Sequence, residues 1–317
     1  MIANWLRRTA VLGVCAAAAL LSACGSSTVE SAISPKRFFI FGDGVSDLGQ
    51  NGSRYTVNDG TINNWTQQLA NSYGVSVAPV SAGGTSYAAG NARITAKPDA
   101  AGVSSTQTVT EQISSYLASN VPLSSDVLVV SAGTADVVAD FAAFRAGTLT
   151  SDQFLANATQ EGKDLAAQVH RLVAAGAKYV LVTGTYDLSR SPLALLSNQP
   201  TILSAASTAL NNALLINIAD LGVNVLYVDA AYYFNLITGL PGSYGFNDGI
   251  SLVCNSADPG AGIGIGAGQV NSALCTPFTI RPGLDYSVFI FADALYFTPQ
   301  AQRLFGSYAY DRLHTRF

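Results

Sequence analysis

A three-layer α/β/α domain built on a parallel sheet is the fold class this sequence predicts, and two observations carry that expectation. The first is rhythm: short β-branched and aromatic runs alternate with helix-length periodic stretches from Lys36 onward. The second is composition. A chain of 317 residues with 49% hydrophobic content and no charge blocks is long and apolar enough to bury a large core.

The elements follow in order. Lys36–Phe41 is an aromatic-rich first strand, and Asn63–Tyr73 has helical spacing with Trp65 and Leu69 four apart. Val75–Val80 reads as a second short strand, Val109–Leu117 as a helix, and Asp126–Ser131 ("DVLVVS") as a strand buried on both faces. Ser151–Ala175 is a long helix with Leu165, Val169, Leu172 and Val173 on one face and Gly176 as its stop. Lys178–Thr183 is the fourth strand, Pro200–Leu221 a helix, and Val223–Asp229 the fifth strand. Helices of this length between strands imply right-handed crossovers, so the expectation is about five parallel strands covered on both faces. Residues 230–290 break the rhythm with aromatic, Gly- and Pro-rich sequence, expected to be an ordered excursion near the sheet edge. Ala301–Arg312 closes the chain as a helix. No internal repeat is visible, so residues 36–317 are expected to form one domain.

The amino terminus has a different character. Arg7 and Arg8 precede an apolar run, Val11–Leu21, that is short for a membrane span and ends in small residues, as a secretory signal does. Leu21-Ser22-Ala23-Cys24 resembles the lipobox of bacterial lipoproteins, which implies cleavage after residue 23 and acylation of Cys24. Residues 1–23 would then be the signal peptide and residues 24–35, small and polar, a tether to the membrane. Ser26 after Gly25 resembles a context for sorting to the outer membrane. Removing the signal takes two arginines and no acids from a net charge of −4, leaving −6. A nucleic-acid partner is excluded on that ground, since no segment supplies a basic face.

Cys254 and Cys275 are the thiols left for the folded body, and in an exported chain they are expected to form a disulfide. The loop it closes contains "DPGAGIGIGAG". A metal site is not expected from two cysteines without a nearby histidine, and no cofactor is called for.

Ligands of open parallel sheets bind beyond the carboxyl ends of the strands. That rule draws together Asp43–Ser46, Ala82–Ala92, Gly133–Asp136 and Ala292–Pro299. These segments, "FIFGDGVSDLG", "GGTSYAAGNA", "GTAD" and "ADALYFTPQAQRL", resemble in order and spacing the signature blocks of the GDSL or SGNH hydrolases. "LAAQVHRLVAAGAKYVLVTGTYDL" is similar to that family's long helix and following strand. The resemblance covers nearly the whole mature chain and implies a flavodoxin-like fold and an exported esterase or lipase.

The catalytic residues implied by the resemblance are mostly replaced. The nucleophilic serine falls on Gly44, the oxyanion-hole asparagine on Ala135 and the general-base histidine on Tyr296. The oxyanion-hole glycine, Gly90, and the orienting aspartate, Asp293, are retained, with Asp43 and Asp136 as neighbours. Glycine has no atom with which to attack, and a tyrosine of ordinary pKa near 10 is a poor base at neutral pH. The expectation is therefore a catalytically degenerate envelope lipoprotein with a binding or scaffold role, whose cleft holds an acyl or sugar-ester ligand.

Two alternatives stand beside it: an active carboxylic-ester hydrolase using other groups such as Ser46, and a structural surface lipoprotein. His170 and His314, the histidines of the chain, are expected to lie on the surface and past the final helix respectively. Tyr296 has an alternative role, in which its phenol hydrogen-bonds Asp293 and caps a pocket; Tyr87, Phe297 and Trp65 are read as core residues first and as walls of that pocket second.

Overall fold

Four strands define the sheet: β1 (Arg37–Gly42), β2 (Asp126–Ser131), β3 (Tyr179–Thr183) and β4 (Val225–Tyr227). In this computed structural model, which describes residues 33–317, they are hydrogen-bonded in the order β1-β2-β3-β4 and every neighbouring pair is parallel. The expected signal peptide, Cys24 and the tether as far as residue 32 lie outside the described residues. At residue 33 the chain is already part of the body, with Ile33 only 6% exposed.

Period-two alternation divides each strand between two cores. Phe38 and Ile40 of β1, Val127 and Val129 of β2 and Leu181 of β3 face one side. They meet α1 (Trp65–Ser72), α3 (Thr134–Arg145), α7 (Ala230–Gly239) and α8 (Pro299–Arg316). Phe39, Phe41, Leu128, Val130, Val180 and Val182 face the other side, against α2 (Val109–Ser119) and α4 (Ser151–Ala174). The short α5 (Pro192–Ser197) and the long α6 (Pro200–Asn217) complete the helical set among the described residues. The α4–α6 contact is close because Gly162 lies under the backbone carbonyl of Leu210, where a Cβ would come within 2.2 Å of that oxygen. Helix starts are fixed locally: Thr108 with Glu111, and Thr150 with Gln153, form reciprocal capping boxes at the amino ends of α2 and α4.

The expected second strand at Val75–Val80 is not a strand. Pro79 has no N–H to donate, and the pairing along the free edge of β1 goes downstream instead. Ile40 N donates to Thr85 O at 3.2 Å, Tyr87 N to Ile40 O at 2.7 Å, and Ala89 N to Gly42 O at 3.1 Å. The Thr85–Ala89 segment thus occupies the fifth position, giving the 2-1-3-4-5 order of a doubly wound sheet with its reversal beside β1.

Three helices went unread in the sequence, α3, α5 and α7, as did a second sheet. Within residues 230–290 the chain forms α7 and then β5 (Asp248–Leu252), which pairs in parallel with β6 (Phe289–Phe291). Cys254 and Cys275 are bonded as expected, with Cα atoms 6.0 Å apart and both side chains buried.

Candidate active site

Beyond the carboxyl ends of β1 and β2 the backbone is packed too tightly for side chains. Gly42 has φ +153°, and a Cβ there would fall 1.9 Å from Ser131 O, so this strand end requires glycine. The Gln112 side chain clamps the same peptide, accepting from Gly42 N at 2.8 Å and donating to Gly42 O at 3.0 Å. The turn that follows is set by Asp43. Its Oδ1 accepts from Val45 N at 3.0 Å, and its Oδ2 accepts from Thr134 N at 3.0 Å and Ala135 N at 3.3 Å, the first amides of α3. Complete burial pushes this carboxyl up to about 6, while those amides and the helix terminus pull the other way.

Gly44 is next in the chain, and Tyr296 fills the space a larger residue there would use. A Cβ on residue 44 would lie 2.5 Å from the Tyr296 hydroxyl and 2.8 Å from Cζ. The phenol therefore points to the nucleophile position and not to Asp293, contrary to the expected tyrosine–aspartate bond. Asp293 is occupied by backbone: Oδ1 accepts from Leu295 N and Tyr296 N, both at 2.8 Å, and Oδ2 from Ser272 N at 2.8 Å. An aspartate satisfied in this way stabilises its own turn and ties it to the disulfide loop. Burial raises the Asp293 carboxyl and drives the Tyr296 hydroxyl well above its ordinary range. A tyrosine so buried holds its proton more firmly than a free one.

Gly90 is covered in the same manner. A Cβ there would lie 2.0 Å from the Tyr55 hydroxyl, and the Tyr55 and Tyr296 rings meet at 4.8 Å between centroids. The Gly90 amide donates to Asp47 Oδ2 at 2.8 Å, while Asp47 Oδ1 accepts from Gly49 N and Gln50 N at 2.8 and 2.9 Å. Burial pushes Asp47 up to about 6 against those three amides. Neither Tyr55 nor Asp47 has a role in the sequence reading. Asp47 stands inside the "GDGVSDLG" block, and the bareness of Gly90 was the one signal that something large must lie over it.

The remaining candidates divide between core and surface. Ser46 is fully buried with its Oγ 3.0 Å from the Trp65 Nε1–H, which donates to it. Trp65 and Phe297 are core residues, Trp65 against Phe305 and Phe297 stacked on Phe234 at 3.8 Å, so neither walls a cleft. Ala135 is buried in the first turn of α3, and Asp136 beside it accepts from Ile94 N and faces Arg93 at 3.5 Å. His170 lies on α4 with Nε2 at 2.8 Å from Asn217 O; His314 is not past the final helix but within α8, which runs on to Arg316, and it stacks on Tyr310. Neither joins the Gly44 turn.

Open space remains beside Gly90 and not over Gly44. A groove of about 360 Å³ is lined by Gln50, Asn51, Tyr87, Asn91, Thr106 and Gln107, among others, with Tyr55 as its inner wall. A larger hollow of about 720 Å³ between Ser189 and Ala209 is a shallow depression on α6 that touches none of these turns. No cluster of potential metal ligands occurs among the described residues.

A doubly wound parallel sheet whose first strand ends in a Gly-Asp turn, with a glycine loop and an aspartate turn converging on it, is the α/β scaffold of the SGNH hydrolases. The chain belongs to the GDSL-like lipase/acylhydrolase family, whose model matches residues 38–309. Among solved structures it is similar to the native aryl esterase of M. smegmatis, at 17% identity over 89% of this chain and 100% of that one, with a TM-score of 0.44. It is also similar to Est24, a carbohydrate acetylesterase from Sinorhizobium meliloti, at 14% identity over 89% and 100% of the two chains, with a TM-score of 0.46. No curated protein sequence is significantly similar to this chain.

Proposed function

We propose that this protein is a catalytically degenerate member of the family, a lipoprotein of the bacterial cell envelope that binds or scaffolds and does not cleave esters. The observation that carries the reading is the complementarity of Gly44 and Tyr296: the position that would carry the attacking oxygen has no side chain, and a phenol occupies its space. Acyl transfer by this route needs an oxygen next to a base, and neither is at hand. A missing amide donor at Ala135 adds a rate loss of about 100- to 1,000-fold. Ser46 does not replace the nucleophile, because its hydroxyl is buried under Trp65 and has no basic nitrogen beside it.

The binding role moves to the groove beside Gly90. Its amide and hydroxyl lining with the Tyr87 ring suits the sugar portion of an ester better than an acyl chain. The anchor at Cys24 and an outer-membrane position rest on Leu21-Ser22-Ala23-Cys24.

A fluorophosphonate probe and a short-chain nitrophenyl ester, applied to the chain from Cys24 onward, test the chemistry. Neither labelling nor turnover above background is expected. Covalent labelling of Ser46 with turnover would overturn the reading in favour of an active hydrolase. Melting-temperature shifts across saccharide and acyl libraries then test binding, since a ligand that favours the native state raises the midpoint. No shift with any compound would leave a purely structural lipoprotein.

A further inference from the structure

All four parallel strands point one way, so the segments that enter them lie together on the edge opposite the Gly44 turn. That edge exposes three large apolar side chains. In the loop before β2, Val121 is 73% exposed and Leu123 51%; in the turn before β4, Val223 is 81% exposed. At a strand spacing of about 4.8 Å, the openings of β2 and β4 are roughly 10 Å apart, so these side chains form one neighbourhood. Exposed Lys36, Lys178 and Arg316 flank it, Arg316 donating to Gly222 O in the same turn as Val223. Asp220, exposed at the end of α6, and the terminal carboxylate are the opposing charges there.

The amino-terminal segment arrives at this same edge. Lys36 N donates to Ser125 O at 2.9 Å, which ties the first residue after the tether to the loop that carries Val121 and Leu123. Ile33 is packed into the core, and the contour length of the chain from Cys24 to residue 32 is at most about 30 Å. The Gly44 turn lies a further strand length away, roughly 20 Å.

We propose that this strand-entry edge is a membrane-facing surface: Val121, Leu123 and Val223 enter the interfacial layer of the bilayer to which Cys24 is anchored, while Lys36, Lys178 and Arg316 meet anionic headgroups. The inference rests on the Cys24 anchor of the proposed function. Apolar side chains flanked by cations are the chemistry an interfacial lipid surface takes up. The consequence is orientation. The groove beside Gly90, at the carboxyl edge of the sheet, faces away from the lipid and stays open to soluble or cell-wall ligands.

The test couples the thiol of Cys24, in the chain from residue 24 onward, to vesicles of phosphatidylethanolamine and phosphatidylglycerol carrying a maleimide lipid. Amide hydrogen exchange is then compared with and without vesicles. The segments 121–125 and 222–224 should slow by about fivefold or more on the vesicles, with no change at 95–107. V121D/L123D should lose that protection while coupling to the same extent. Should that variant misfold, Lys36→Glu with Lys178→Glu should lose it on phosphatidylglycerol vesicles and keep the native melting temperature. Unchanged exchange on vesicles, protection confined to the groove side, or protection that grows with protein concentration in the absence of lipid would overturn the surface. The mass of the amino-terminal peptide from cell membranes reports acylation separately, so a bare Cys24 would sink the anchor without altering the result on coupled vesicles.

Discussion

Gly44 and Tyr296 are a matched pair, and the match makes a prediction about each alone. Gly44→Ser places a Cβ 2.5 Å from a buried hydroxyl that cannot move freely, because the Tyr296 turn is held by Asp293 and by Tyr186, whose hydroxyl donates to Leu295 O at 2.7 Å. The single variant should therefore lose about 1–3 kcal/mol to overpacking and remain inert toward esters. Adding Tyr296→His removes the clash, and adding Ala135→Asn restores a donor, so the triple variant should hydrolyse a nitrophenyl ester at least about tenfold faster than its parent, while each single does nothing, as expected of groups that act as a unit. A folded but inert triple variant would mean that Tyr55 over Gly90, or some other part of the cleft, blocks the substrate. The vacancy at Gly44 was legible from the sequence. Its filling was not, because a motif records which residue stands at a position and not where a phenol far along the chain will point; the reading that tied Tyr296 to Asp293 failed for that reason.

The legible elements were a continuous apolar strand and a long helix with one buried face. Asp126–Ser131 appears in the structure with the bounds read from its apolar run, and the long helix differs by one residue at its end, because burial and a Gly stop leave few alternatives. Val75–Val80 has the right alternation but no partner, since the edge of β1 is taken by Thr85–Ala89 and pairing is a tertiary choice. α3 escaped because nearly all of its first two turns, Thr134 to Asp136 with Val137, Val138, Asp140 and Phe141, are buried, which erases the two-sided pattern that marks a surface helix. The excursion is held as an element by its disulfide, whose closed loop donates Ser272 N to Asp293. Replacing Cys254 and Cys275 by alanine should cost about 3 kcal/mol in the chain-entropy account, read as a lowered urea midpoint. It should also raise amide exchange at Leu295 and Tyr296, whose acceptor Asp293 would be less firmly placed. Equal midpoints for the variant and its parent would show that packing of β5 on β6 holds the loop without the bond.

At the scale of the molecule, acidic groups outnumber basic ones and several are buried, so stability should depend on pH in an uncommon direction. Arg93 is shared by three carboxyls, Asp136 at 3.5 Å, Asp140 at 3.0 Å and Glu161 at 3.3 Å, drawn from α3 and α4, with Asn157 donating to Asp140. One cation cannot compensate three buried anions. Burial, with the neighbouring carboxylates, pushes Glu161 up to about 9, and burial pushes Asp136 up to about 7 despite Arg93. Groups whose pKa is raised on folding bind more protons in the native state, so their contribution is whole below the ordinary carboxylate range and is lost as pH rises through about 7 and then about 9. Asp43 and Asp47, raised to about 6, act in the same sense slightly lower. The carboxyls of Glu111 and Asp258 are lowered, chiefly by side-chain bonds to Lys97 and Asn271, and oppose this trend only at more acid pH. The urea midpoint should therefore fall steadily from pH 5 to pH 9, at no more than about 1.4 kcal/mol per pH unit for each proton released. General repulsion in a chain of net charge −4 acts in the same direction, so the parent alone does not separate the causes. Glu161→Gln does: it removes one ionisable member and little volume, and it should flatten the slope between pH 7 and pH 9 while leaving that between pH 5 and pH 6 in place. A midpoint that rises with pH in the parent, or a slope that Glu161→Gln leaves unchanged, would show that Arg93 holds all three acids ionised.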